Sequence, residues 1–216
     1  MRRVVDGDTV DLSDRRRLRL VGIDTPELGH GRSAEPLATE ARRALSGLAG
    51  KTVGLVYSPE RRDRYGRWLA HLFLNDGTNV QRWMLSEGLA SALFLSPSPQ
   101  FQDCYAEAER QARKARRGIW GLARYQPLDV TRIGRWDEGL RVITGTVMHS
   151  ARSKSGLRLR LGPRMVLYIT TGDLRRFPPF DSRGMLGRRV YAQGWMSRRG
   201  GHWTMRIRHP AHLWYS

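Results

Sequence analysis

The chain has 216 residues, with 38 lysines plus arginines against 20 aspartates plus glutamates and a formal net charge of +18. Its 40% hydrophobic content is enough to bury a core, which excludes a disordered polyelectrolyte, and the charge points to a polyanionic partner, most simply nucleic acid. A single cysteine, Cys104, excludes an internal disulfide and a cysteine-based zinc site, and no run approaches the roughly 20 apolar residues of a membrane span.

The first notable stretch is Val4-Val5-Asp6-Gly7-Asp8-Thr9-Val10. Asp and Gly are poor strand residues and usually mark a turn, so an isolated pair of this kind reads as a hairpin tip. Because Thr9 and Val10 resume the β pattern at once, the stretch reads as a bulge that aims the Asp8 carboxylate inward. Residues 1 to 12 and 16 to 24 read as strands joined by the polar turn Ser13-Asp14-Arg15. The chain starts one residue before Arg2, inside the expected first strand, which leaves room for a preceding signal, anchor or strand half and leaves the compartment open.

Alternation along the second strand places Arg19, Val21 and Ile23 on one side and Leu20, Gly22 and Asp24 on the other. Pro26 ends it and leaves Thr25 extended, with a carbonyl free of the ladder. If the two strands pair as a hairpin, Asp8 and Asp24 converge. Two carboxylates and a carbonyl suit a hard divalent cation such as calcium or magnesium, with water completing the shell.

Glu27 lies just beyond, where it can take a proton from a water beside the cation. Arg19, with Arg67 from the later segment Asp63-Arg64-Tyr65-Gly66-Arg67, offers planar forks for the oxygens of a phosphoryl transition state. Taken singly, each of these residues also reads as a surface salt bridge at a strand end.

Ser33 is expected to cap a helix over about 36 to 48, with Leu37, Ala41, Leu45 and Leu48 on one face and Gly50 at its end. Strands follow at about 52 to 57 and 67 to 74, with the charged run Glu60 to Arg64 between them. Val80 to Glu87 reads as a short helix closed by Gly88, and Gln102 to Arg117 as a long one closed by Gly118. Cys104 reads as core filler beside Tyr105, Ala108 and Ala112, and Trp120 as a core anchor. His30, between Gly29 and Gly31, reads as part of an exposed loop.

The ordered strings VVDGDTV, RLRLVGIDTPE, DRYGR, SEGLA and RRGIWG resemble the staphylococcal nuclease-like (thermonuclease, micrococcal nuclease) family over about residues 2 to 121. That resemblance implies a mainly β fold with α, an OB-fold five-stranded barrel with three helices. It implies calcium as the cofactor, held by Asp8, Asp24 and the Thr25 carbonyl, with Glu27 as general base and Arg19 and Arg67 as phosphate-binding arginines. It further implies cleavage of DNA and possibly RNA, preferably single-stranded or open, leaving 3′-phosphate ends. Arg64 and Tyr65 fall where the family contacts a terminal phosphate. The segment 90 to 95 lacks the family's pocket tyrosines and leaves Phe94 as the candidate stacking face. The family implies a secreted, periplasmic or membrane-anchored protein if an N-terminal segment is missing, and a cytoplasmic one otherwise.

From residue 139 the pattern is all strand, at about 141 to 148, 156 to 161, 164 to 170, 188 to 196 and 202 to 208. This part holds 15 basic and 2 acidic side chains, so it carries most of the excess charge. Residues 1–123 are therefore expected to form the catalytic domain, 124–138 a linker, and 139–216 a second small all-β barrel, again OB-like. Arg158, Arg160, Arg198, Arg199, Arg206 and Arg208 can track phosphates there, with bases on Trp195, Tyr191 or Trp203. A monomer with DNA or RNA as its partner is the expectation. The competing reading is a non-catalytic nucleic-acid-binding protein built on a nuclease-like scaffold.

Overall fold

The computed structural model describes residues 1–29, 33–95, 100–179, 181 and 183–215. His30 lies outside them. The chain divides into two compact units, Met1–Gly121 and Leu122–Ser216.

The first unit comprises β1 (Arg3–Val4), β2 (Thr9–Asp11), β3 (Arg17–Leu20), β4 (Ile23–Asp24), α1 (Ala38–Ser46), β5 (Val53–Arg62), β6 (Trp68–Leu74), α2 (Val80–Ser86), β7 (Ser91–Ala92) and α3 (Gln102–Lys114). Five strands form a sheet in the order β1-β2-β3-β6-β5, with only β3 and β6 parallel. Its two edges meet at the chain start: the Met1 ammonium donates to the Lys51 carbonyl at 3.0 Å and the Gly50 amide to the Met1 carbonyl at 3.0 Å. These bonds place the first strand beside the entry to β5 and close the sheet as a five-stranded barrel.

The Asp6-Gly7-Asp8 stretch is not a bulge. It is the tip of a hairpin in which Val4 faces Val10, with the Val5 amide donating to the Thr9 carbonyl at 2.9 Å. Asp6 Oδ1 accepts from the Asp8 amide at 3.0 Å, a local turn bond of the kind that makes aspartate a turn residue. The expected strand over 16 to 24 is also interrupted. Gly22 takes φ +84°, and a Cβ there would lie 2.6 Å from the Tyr105 ring, so the chain turns and the side-chain alternation restarts.

α1 begins at Ala38 after Leu37 in the left-handed region (φ 69°), and no side chain caps it, so Ser33 does not have the expected role. Ala38, Ala41 and Leu45 carry its buried face, whereas Leu37 is only half-buried. β5 runs on to Arg62, which puts Glu60 and Arg61 on the strand and confines the turn to Asp63–Arg67. α2 is capped by the Asn79 side chain, which accepts from the Arg82 amide.

The ends of α2 and α3 meet at two glycines of positive φ, Gly88 (67°) and Gly118 (52°). A Cβ on Gly88 would lie 2.2 Å from the Arg117 carbonyl oxygen, and one on Gly118 would lie 2.1 Å from that of Gly88. Backbone thus packs on backbone, and the Ile119 amide donates to the Gly88 carbonyl at 2.8 Å, with Trp120 buried beside it. Cys104 is exposed, not core filler: Tyr105, Ala108 and Ala112 share the inward face of α3 and leave Cys104 on the solvent side.

The second unit comprises β8 (Leu128–Asp129), β9 (Gly139–Ser153), β10 (Gly156–Leu161), β11 (Met165–Thr170), α4 (Thr171–Leu174), β12 (Arg189–Arg199), β13 (His202–Arg206) and β14 (Leu213–Tyr215). Its hydrogen-bonded ladders run β9-β10-β11-β13-β12, and β12 pairs again with β9; only β11–β13 within this circuit is parallel. Strict alternation sends Leu157, Leu159, Leu161, Met165, Leu167 and Ile169 inward.

The segment 124–138 is not a linker. Leu128–Asp129 adds to β9 as a parallel strand, and Val130 belongs to the second unit's core, because Tyr125 and Val130 are apolar groups with a sheet to bury against. Of the aromatics expected to stack on bases, Trp203 is 5% exposed and part of that core. Tyr191 is stacked on Trp214 with centroids 5.8 Å apart, while Trp195 is 58% exposed. Among the described residues no helix is long and apolar enough to cross a membrane.

Candidate active site

Asp8 leaves the β1–β2 tip pointing inward. Its Oδ1 accepts from Thr9 Oγ1 at 3.0 Å, and its Oδ2 accepts from the amide and hydroxyl of Thr25 at 3.4 and 3.3 Å. Arg19, the β3 partner of Thr9, brings Nη2 to 2.9 Å from Asp8 Oδ2 and 3.3 Å from Asp24 Oδ1. Its Nη1 donates to the carbonyls of Leu20 and Ile23 at 2.5 and 3.0 Å. The break at Gly22 thus folds β3 back over its own arginine, so that Asp24 joins Arg19 although simple alternation put them on opposite faces. Four of the sequence-selected residues, Asp8, Asp24, Thr25 and Arg19, form one connected cluster.

The cluster is short of positive charge. Burial pushes the Asp8 carboxyl up to about 7 against the pull of Arg19, and the charges of Asp6 and Asp24 push the same way. Burial likewise raises Asp24, opposed by Arg19 and reinforced by Glu27, Glu35 and Asp6. Five carboxylates therefore share one field with a single bridging guanidinium. A divalent cation would relieve that excess, and the donors are hard oxygens of the kind calcium and magnesium take. Among the described residues no three acidic or imidazole side chains gather as a cage of their own, so a cation here would rely on the Thr25 carbonyl and water besides Asp8 and Asp24.

Glu27 is exposed, and its position is fixed by a reciprocal pair of bonds with a residue that sequence reasoning passed over. The Glu27 amide donates to Glu35 Oε2 at 3.0 Å, and the Glu35 amide donates to the Glu27 carbonyl at 2.8 Å. Asp6 was likewise passed over, although it stands in the quoted motif. Its bond from the Asp8 amide is visible there as an aspartate two residues before the donor; Glu35 has no periodic relation to Glu27 that would have marked it.

Arg67 stands on the β5–β6 turn. Asp63 holds it twice, through Nε to Oδ2 at 2.7 Å and through its amide to Oδ1 at 2.9 Å. The turn also carries Tyr65, 67% exposed, with the guanidinium carbons of Arg64 and Arg67 at 4.7 and 5.5 Å from its ring centre. Among the described residues, no hydrogen bond or ion pair joins this turn to Asp8, Asp24 or Glu27. The parallel register sets Trp68 against Leu18, so Arg67 stands beside the start of β3. Phe94 is a correction: at 3% exposure it lines an interior pocket with Gly22, His71 and Tyr105, and it offers no open face to a base.

Residues 17–121 match the family described as staphylococcal nuclease homologue. The thermonuclease of Staphylococcus hyicus is 34% identical over 123 residues, which cover 55% of this chain and 72% of that protein. An uncharacterized endonuclease of Escherichia coli O157:H7 is 37% identical over 126 residues, 56% of this chain and 75% of that protein. Endonuclease YncB of Bacillus subtilis is 31% identical over 130 residues, 57% of this chain and 61% of that protein. The matched residues 17–121 lie within the first unit and include Arg19 and Asp24, and the chain belongs to the staphylococcal nuclease homologue family.

Proposed function

We propose that this protein is a calcium-dependent nuclease that hydrolyses phosphodiester bonds of DNA, and of RNA, in single-stranded or open regions and leaves 3′-phosphate ends. The observation that carries the reading is the sharing of one guanidinium, that of Arg19, between the buried carboxylate of Asp8 and the half-buried one of Asp24. The cation, held by Asp8, Asp24 and the Thr25 carbonyl, would supply Lewis-acid polarisation of a phosphoryl oxygen. Arg19 and Arg67 donate to the equatorial oxygens as charge builds on them, where a donor is worth on the order of a hundredfold or more in turnover. Glu27, exposed and held at its backbone by Glu35, accepts the proton of the attacking water. Arg64 and Tyr65, on the turn of Arg67, bind a neighbouring phosphate.

Digestion of labelled single-stranded DNA in calcium, in magnesium and in chelator tests this, with Glu27→Ala from the same preparation. Cutting that requires calcium and falls by about a hundredfold or more in the mutant is expected. Equal turnover in the mutant would remove Glu27 from its role.

The second unit is in this reading an OB-like barrel. The support is its ladder circuit: five strands in the order 1-2-3-5-4-1, with the third and fifth parallel, as in the five-stranded Greek-key barrel.

A further inference from the structure

The outer face of β10, β11 and β13 bears a cleft of about 490 Å³ that the nuclease site does not use. Its lining includes Ser155, Arg158, Tyr168, Arg199, His202 and Thr204. Alternation makes this face: as the leucines of β10 turn inward, Arg158 turns out opposite Tyr168, and on the other side of Tyr168 the parallel ladder sets Arg206. Arg206 is already committed to Asp173, at 2.8 Å. Among the described residues Arg158 and Arg199 have neither a carboxylate nor a hydrogen-bond partner, and no acidic side chain lines the cleft.

We propose that this cleft binds single-stranded nucleic acid, with phosphates on Arg158 and Arg199 and a base on Tyr168. Unneutralised guanidiniums around a concavity favour a polyanion, and a half-buried tyrosine in the same cleft, beside Arg158, gives an unpaired base a face to stack on. A duplex keeps its bases stacked and cannot offer one to the floor of a cleft. The position agrees with the barrel topology: oligonucleotides cross the second and third strands of such barrels between the first and fourth turns. Here those are β10 and β11, the turn at 154–155 and the turn at 200–201. The site rests on the OB-like reading of the second unit and is independent of catalysis in the first. It also moves the stacking role from the expected Trp195, Tyr191 and Trp203 to Tyr168.

The test is fluorescence anisotropy of a labelled oligothymidylate with the full chain in chelator, so that no cutting intervenes. Arg158→Ala with Arg199→Ala should weaken binding about tenfold or more and lower the salt slope by about 1.4, at about 0.7 per phosphate on a single strand. Arg132→Ala with Arg135→Ala, equal in charge and exposed elsewhere on the unit, should stay within about twofold. Tyr168→Ala should lose about fivefold or more while Tyr168→Phe keeps its affinity. The arginine pair is exposed, so its result stands even if Tyr168→Ala unfolds. Equal loss in the two arginine pairs would reduce the effect to net charge and overturn the site. Wild-type affinity in a folded Tyr168→Ala would do the same. A chain that binds through these residues but never cuts DNA in calcium would overturn the nuclease reading alone.

Discussion

Gly7 and Thr25 pack so closely that a methyl group on Gly7 would lie 2.6 Å from Thr25 Oγ1 and 3.0 Å from Ala41 Cβ. The glycine between the two acids is therefore required by contact with the neighbouring strand end and helix, not by a left-handed backbone. Gly7→Ala should destabilise the protein by about 1–3 kcal/mol through overpacking. It should also weaken divalent-cation binding, because Asp8 and Thr25 are pushed apart. Denaturant melts and calcium titration of the same variant would show both effects; an unchanged midpoint would mean that Thr25 yields freely.

Glu35 positions Glu27 through its carboxylate and its amide. Glu35→Ala removes one of the two bonds and should lower turnover roughly tenfold, less than Glu27→Ala, since a misplaced base costs less than a missing one. Glu35→Gln keeps an acceptor and should recover most of the activity. Single-turnover rates of the three variants would check this order, and equal rates for the Ala and Gln forms would shift Glu35's role from hydrogen bonding to charge.

His71 is buried against Tyr105, with Nδ1 2.7 Å from the hydroxyl, and burial drives its pKa down to about 4. The unfolded chain takes up this proton at about 6.5 and the folded one only near 4, so protonation favours unfolding. The contribution of His71 is complete above about 6.5 and is lost as the pH falls through that window toward 4. His71→Gln should flatten the rise of stability with pH over this interval. Chemical melts at several pH values would show it, and an identical slope in wild type and variant would place the titration elsewhere.

Gly88→Ala should be among the most damaging single changes in the first unit. Its Cβ would meet a carbonyl at 2.2 Å, and the clash is with backbone, which cannot rotate away. A loss of about 3 kcal/mol or more is expected, combining the left-handed φ with the steric conflict. Thermal unfolding would measure it, and a shift of only a degree or two would show that the α2 and α3 ends separate easily.

The elements most legible in the sequence are those whose signal is local. The alternation of β10 and β11 marked both strands to within a residue, and Gly88 closed α2 because left-handed backbone favours glycine, whereas α3 stops at Lys114, three residues short of the expected end, with Arg116 and not Gly118 as the first left-handed residue after it. The cluster of Asp8, Asp24, Thr25 and Arg19 was legible because all four stand on consecutive segments. What could not be read depends on contacts between distant residues. The parity of Asp24 changed because the Tyr105 ring crowds Gly22, 83 positions away in the chain. Phe94 was buried by a pocket no local pattern records, and the residues expected to link the units were drawn into a sheet formed by strands that come after them.

β12 has a consequence for how the second unit comes apart. Along one edge it pairs with β9 over Arg189–Met196; along its other it pairs with β14 over Val190–Ala192 and with β13 over Met196–Arg199. Removing it would open the ladders to three other strands at once. Amide hydrogens near Val190 to Ala192 and at Met196 should therefore exchange only when the whole unit opens, as the slow core of one cooperative block.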